Sequence, residues 1–207
     1  MSESVYRKFI EGGDVHDSAH DIEHIERVVG NAKKFALEEK ANFEVVVAAA
    51  WLHDCVSVKK DSQVRSKASK LSAKKASEYL SKIGKDGSFI EQVSHAIEAH
   101  SFSGGISPET IEAKIVQDAD RVDALGAIGI ARCILVSASL NTSLYCSQDP
   151  LCSAREPDDS KFCIDHFYTK LFKIAETLNT KSARLEAESR VSFMKEYLQQ
   201  LNIEVCS

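Results

Sequence analysis

Apolar residues along this chain recur at steps of three and four, and no stretch shows the sustained alternation of a half-buried strand. Ile22, Ile25, Val29, Ala32 and Ala36 make one face of a helix predicted over 18–39. A second helix, over 43–54, is apolar nearly all round, which places it at the centre of a core. A third, over 68–83, ends at Gly84, a helix stop, and a fourth runs over 87–100. Pro108 marks the start of the next, with Ile111, Ile115, Ala119 and Val122 on one side; Gly126 and Gly129 are points where it continues or kinks toward Ser139. The polar segment 141–161, with Pro150 and Pro157, reads as a loop or excursion. Helices resume over 162–178. The last, over 181–201, carries a core-packing stripe of Ala187, Val191, Met194, Leu198 and Leu201. The expected class is all-α, a helical bundle of about seven to nine helices.

Size and charge narrow the function. The chain has 207 residues and no linker rich in Gly, Ser or Pro, so a single domain over 1–207 with one sizeable core is expected. A net charge of −5 argues against a nucleic-acid polymer as the main partner but leaves room for a small phosphorylated substrate. Residues 1–17 show no targeting signal, and no apolar stretch reaches the roughly 18–20 residues that span a bilayer. A cytoplasmic protein with no membrane partner is the expectation. Six cysteines occur without a CxxC pair and are expected to stay reduced, Cys55 as a small buried thiol. Oligomeric state is not legible: an apolar helix face looks the same in its own core as in a homodimer.

The chemistry concentrates around His53-Asp54, at the end of the apolar run 45–52. A carboxylate and an imidazole directly after buried residues need a partner, because an unpaired buried charge is costly. A divalent metal would serve. His24, beside the apolar stripe of the first helix, and Asp120, on the helix after Pro108, are the further candidate ligands. Two imidazoles and two carboxylates suit one octahedral ion with open positions, so Mn, Fe, Co, Ni or Mg are the candidates and a closed structural zinc site, which prefers thiolates, fits less well. By spacing alone the same residues also read as satisfied polar groups at helix ends. His20 shares a face with His24, as Asp123 does with Asp120; both are candidates for water orientation or proton transfer, or for fixing the ligands. Asp118 points away from that face. Arg27 is a candidate phosphate contact or a partner for a carboxylate such as Asp123. Lys60 and Arg65 follow the His-Asp pair in a basic loop and are candidates to hold phosphates. His100, at a helix end, is a further candidate for the site, whereas His95 reads as a surface or core histidine.

The blocks His20–Val28, Trp51-Leu52-His53-Asp54 and Asp118–Gly129, in this order, resemble the HD-domain superfamily of metal-dependent phosphohydrolases, and most closely its small single-domain bacterial branch. His166–Leu171 and the stretch from Glu188 to Met194 are also similar, so the resemblance spans nearly the whole chain. It implies an HD-type helical bundle with a metal site built from 18–125 and C-terminal helices over 162–202 on the same core. It implies His24, His53, Asp54 and Asp120 as the metal ligands. It further implies hydrolysis of a nucleotide or related phosphate ester, some such proteins cleaving a deoxynucleoside triphosphate to monophosphate and pyrophosphate. A related nucleotidase branch has a glutamate three residues after the HD aspartate. Ser57 stands there in this chain, so that mechanism does not carry over. Two other readings are a di-iron HD-type oxygenase, which needs His95 or His100 as extra ligands, and a non-catalytic nucleotide-binding module.

Overall fold

The computed structural model describes residues 3–12, 22–56, 67–101 and 104–205. These form nine α-helices and a π-helical turn, with no strand among the described residues and a single bridge between Ser143 and Phe162. The all-α class is therefore as expected. The chain groups into two compact units, Met1–Asp120 with Asn179–Ala183, and Arg121–Leu178 with Arg184–Ser207.

In the first unit the helices are α1 (Ser4–Glu11), α2 (Ile22–Glu38), α3 (Phe43–Leu52), α4 (Ala68–Lys82), α5 (Gly87–His100) and most of α6 (Ile111–Val122). Every residue of α3 from Val45 to Leu52 is buried, as its all-round apolar sequence requires, and α1, α2, α4 and α5 pack around it. Burying each of its larger side chains contributes about 1.5–3 kcal/mol. The Asn42 side chain caps α3 by accepting from Val45 N, and Asp86 caps α5 by accepting from Phe89 N at 3.0 Å. Helix α4 stops at Gly84, whose φ of +79° is left-handed. Helix α6 starts later than Pro108 suggests, because Thr110 Oγ1 accepts from Ala113 N and so caps it.

Helix α1 is an element the pattern did not foretell. It buries Tyr6 and Ile10 and is held by tertiary contacts. Glu3 accepts from Trp51 Nε1 at 3.1 Å and pairs with Lys33 at 2.6 Å, while Tyr79 donates to Val5 O and stacks on Phe9.

The second unit carries α7 (Gly126–Ser139), the π-turn Phe167–Leu171, α8 (Phe172–Glu176) and most of α9 (Lys181–Val205). The chain breaks between α6 and α7 at the glycines the sequence pointed to. Gly126 has a φ of +74°, and a Cβ there would stand 3.2 Å from Arg190 Cγ. A Cβ on Gly129 would lie 2.2 Å from the Ala124 carbonyl oxygen, a backbone clash no rotamer relieves. The excursion after α7 has its own organisation: Asp165 is fully buried, accepts from both terminal nitrogens of Arg155, and also accepts from Asp158 N. Phe167 stacks on Tyr197, and Ala187, Met194 and Leu198 are buried as the stripe on α9 anticipates.

Candidate metal centre

Three helix ends and one helix face of the first unit bring the expected groups together. Helix α3 stops one residue before His53, which keeps helical geometry at the C-cap. Its Nδ1 lies 2.7 Å from the Ala50 carbonyl oxygen, and a carbonyl only accepts, so Nδ1 carries the proton. That leaves the lone pair on Nε2. This atom is buried and has no hydrogen-bond partner, an orphan that a protein interior tolerates only at a cost.

His24, on the buried face of α2, places Nε2 3.4 Å from Asp120 Oδ1 on α6. His53 Nε2 stands 3.7 Å from Asp54 Oδ2. The candidate ligand atoms of His24, His53 and Asp120 all fall within 4.8 Å of one another, and so do those of His53, Asp54 and His100. Ligands bound at about 2.1 Å sit about 3.0 Å apart at right angles and about 4.2 Å apart when opposite, so these separations suit a shared cation. The buried orphan Nε2 and the two acidic side chains are the donor set such an ion takes.

His100 belongs to the same group of side chains. It closes α5, its Nδ1 donates to Ile97 O at 2.6 Å, and its Nε2 lies 3.5 Å from Asp54 Oδ1. The His53 and His100 rings meet edge to face at 5.0 Å. His95 is elsewhere, its Nε2 accepting from Glu109 N at the surface.

The electrostatics follow from burial and neighbours. Burial pushes the His53 imidazole below its ordinary range, against the pull of Asp54. Burial also acts to lower His100, but the hydrogen bond and charge of Asp54, with Asp120 beyond, outweigh it and hold His100 above its ordinary range. Burial acts to raise Asp120, yet the hydrogen bond from His24 and the surrounding imidazoles keep its carboxyl well below the usual carboxylate range. The site is thus poised to hold Asp120 ionised and to keep His53 neutral, the protonation states that ligate metals.

Residues that the spacing passed over fix this geometry. Gln117 donates to Ala99 O, next to His100, and accepts from Asn179 Nδ2. Asp118 accepts from Asn179 N and Nδ2, Thr180 N and Thr180 Oγ1. Two successive α6 residues therefore tie Asp120's helix to the end of α5 and to 179–180. Pointing away from the cluster is what gives Asp118 this task, and only its partners, about sixty positions on, could have revealed it.

Of the other expected residues, Arg27 is half-buried on α2, one turn after His24. Asp123 is fully buried in the second unit, where its Oδ2 accepts from Arg132 at 2.7 Å. His20, Ser57, Lys60 and Arg65 lie outside the described residues.

Comparison with known proteins agrees with this arrangement. The family model of the HD domain matches residues 21–125, which include all five clustered side chains. The uncharacterized protein YpgQ of Bacillus subtilis is 34% identical over 192 residues, covering 91% of this chain and 85% of that protein. The crystal structure of YpgQ in complex with ADP is similar with a TM-score of 0.73 and 31% identity, over 98% of this chain and 92% of that one. An HD-superfamily hydrolase from Bacillus thuringiensis matches with a TM-score of 0.74 and 29% identity, over 98% of each chain. No single described helix is long and apolar enough to cross a membrane. Sequence, fold and site together show that this chain belongs to the HD-domain family, among helical proteins described as HD-superfamily hydrolases.

Proposed function

We propose that the protein is a divalent-metal-dependent phosphohydrolase acting on a nucleotide or related phosphate ester, with His24, His53, Asp54 and Asp120 as the ligands of one ion. The single observation that carries this reading is the buried, unpartnered Nε2 of His53, grouped with ligand atoms of His24 and Asp120 on one side and of Asp54 and His100 on the other. A divalent ion held there supplies an acidified water and offsets charge building on a phosphoryl oxygen.

The remaining steps fall to side chains. His53 is fixed by Ala50 O so that its Nε2 faces the cluster, and Asp120 stays ionised across the physiological range. His100 is favoured in its protonated form by Asp54, which suits it to hold a phosphate oxygen or to pass a proton to the departing group. Arg27, one turn beyond His24, is the nearby guanidinium for the substrate's phosphates, with Lys60 and Arg65 proposed alongside it. Asp123, held by Arg132, is proposed for water orientation or ligand support, and His20 shares that proposal. The complex of YpgQ with ADP supports a nucleotide as the substrate class. A deoxynucleoside triphosphate cleaved to monophosphate and pyrophosphate is the specific reaction proposed, with manganese as the first ion to test. A single domain in the cytoplasm is part of the same reading.

One observation favours a second reading. His100 joins His53 and Asp54 in a second group of ligand atoms, and a di-iron oxygenase needs such an extra ligand. Metal analysis separates the two: two irons per chain with visible absorbance favour the oxygenase, one divalent ion the hydrolase. The test of function is a nucleotide panel assayed with several divalent ions, products resolved by chromatography. Turnover of at least one nucleotide, giving phosphate or pyrophosphate, is expected. Tight nucleotide binding without turnover at any metal would overturn the enzymatic reading in favour of a binding module.

A further inference from the structure

Two thiols meet in the second unit. Cys133, on α7, and Cys163, just after the Ser143–Phe162 bridge, place their Sγ atoms 3.6 Å apart. The Cys163 backbone is fixed, its N–H donating to Ser143 O at 2.8 Å and the next N–H, of Ile164, to Leu144 O at 3.0 Å. One turn along α7 from Cys133, the buried Ser137 hydroxyl pairs with Thr142 Oγ1. The other described cysteines face oxygens instead: Cys55 donates to Ser72 O, Cys146 to Gln148 Oε1 and Cys152 to Asp165. A disulfide has its sulfurs about 2.05 Å apart, so the pair must close by about 1.5 Å, which is within the swing of a χ1 rotation.

We propose that Cys133 and Cys163 form a reversible oxidation site that a hydroperoxide converts to a disulfide. The Cys133 thiol lies against both the sulfur and the carbonyl oxygen of Cys163, so one partner of the pair holds the proton while the other sulfur is left to carry the charge. The neighbouring Cys133 thiol, with Ser137 beside it, holds the Cys163 thiol below its ordinary range against the effect of burial, and contact with Cys163 together with burial pushes Cys133 up. Cys163 is buried and Cys133 partly exposed, so a molecule as small as hydrogen peroxide would reach the pair from the Cys133 side.

The chemistry closes without another reactant. The Cys163 thiolate attacks a peroxide oxygen; an S–O bond forms, the O–O bond breaks, and the departing hydroxide leaves as water after taking a proton from solvent. The Cys133 sulfur then attacks the sulfenic sulfur; the S–S bond forms, the S–O bond breaks, and hydroxide leaves with the Cys133 proton as a second water. Peroxide gains two electrons and each sulfur loses one. A dithiol reductant reverses the change. The new bond closes a loop across 30 positions that contains the whole 141–161 excursion.

The test treats the reduced full-length protein with hydrogen peroxide, then maps non-reduced peptides. A Cys133–Cys163 cross-linked peptide should appear first, free thiols should fall from six to four, and Tm should rise by about 5–10 °C, returning on addition of dithiothreitol. In Cys133→Ala, dimedone should label Cys163 and the Tm rise should vanish; Cys163→Ala should give neither. Thiols that resist peroxide, or linkage or dimedone labelling at Cys146 or Cys152 ahead of Cys163, would overturn the assignment. The readouts do not depend on phosphohydrolase activity.

Discussion

Replacing Asp118 by alanine removes one acceptor from four donors at once. In the native chain its carboxylate takes hydrogen bonds from Asn179 N at 2.9 Å, Asn179 Nδ2 at 2.8 Å, Thr180 N at 2.7 Å and Thr180 Oγ1 at 2.8 Å. Asp118 is fully buried and Thr180 nearly so, so water cannot replace the lost partner at Thr180. Each stranded buried donor costs about 1–3 kcal/mol. Two such donors on Thr180, with a smaller contribution from the partly exposed Asn179, give a loss of about 3–5 kcal/mol. That is a large share of the roughly 5–15 kcal/mol that holds a domain of ordinary stability together. At about 2–4 °C per kcal/mol the Tm should fall by about 10 °C. Asp118→Asn keeps one carbonyl oxygen but turns an NH2 group toward N–H donors, so it should recover only part. The assay is urea denaturation of metal-free protein followed by far-ultraviolet circular dichroism, with the m-value checked for constancy. A loss under about 1 kcal/mol would refute the reasoning, because the donors would then have found partners the native geometry does not provide.

Other outcomes follow from the same geometry. Asp54→Ala should abolish nucleotide hydrolysis while leaving helical content intact, since Asp54 is only partly buried at the edge of α3; undiminished turnover would remove it from the site. Saturating manganese at about 100 times its dissociation constant should stabilise the wild type by about 2.7 kcal/mol and leave Asp120→Ala unmoved, measured by thermal melts. Asp165→Asn should destabilise by about 2–3 kcal/mol at pH 7, breaking the partly shielded Arg155 pair. Burial acts to raise the Asp165 carboxyl, but Arg155, Asp158 N–H and Cys152 outweigh it and lower it in the folded state. Its stabilisation is therefore full above the unfolded value of about 3.9 and is lost as pH falls through the lower folded value. The gap between Asp165→Asn and wild type should close in that acid window, and a gap independent of pH would contradict the assignment.

How much could be read before the structure depended on how local the cause was. The all-round apolar α3 forced a central helix ending beside His53-Asp54, His24 lay beside an apolar stripe, and Asp120 stood in a block resembling the HD family, so all four were legible as candidates. The glycine breaks at Gly84 and Gly126 were legible because a left-handed backbone favours one residue type. Helix α1 was not: its eight residues are held by Glu3 reaching Trp51 and Lys33, contacts with no local signature. The task of Asp118 was hidden because its donors lie at 179–180. His100 was legible as a further candidate for the site, but its approach to Asp54 depends on where α5 ends relative to α3. The order within 141–161 was missed because Arg155 announces a polar loop by composition, and its partner Asp165 lies beyond that segment in a stretch predicted as helix.

On the proposed reading, side chains from α2, the end of α3 and α6 share one cation. A crystal structure of the protein loaded with manganese, with anomalous differences collected at the manganese edge, tests it directly. The account predicts one strong peak about 2.0–2.3 Å from His53 Nε2 and from ligand atoms of His24, Asp54 and Asp120. A peak elsewhere, or one with Asp120 beyond about 3 Å, would contradict it.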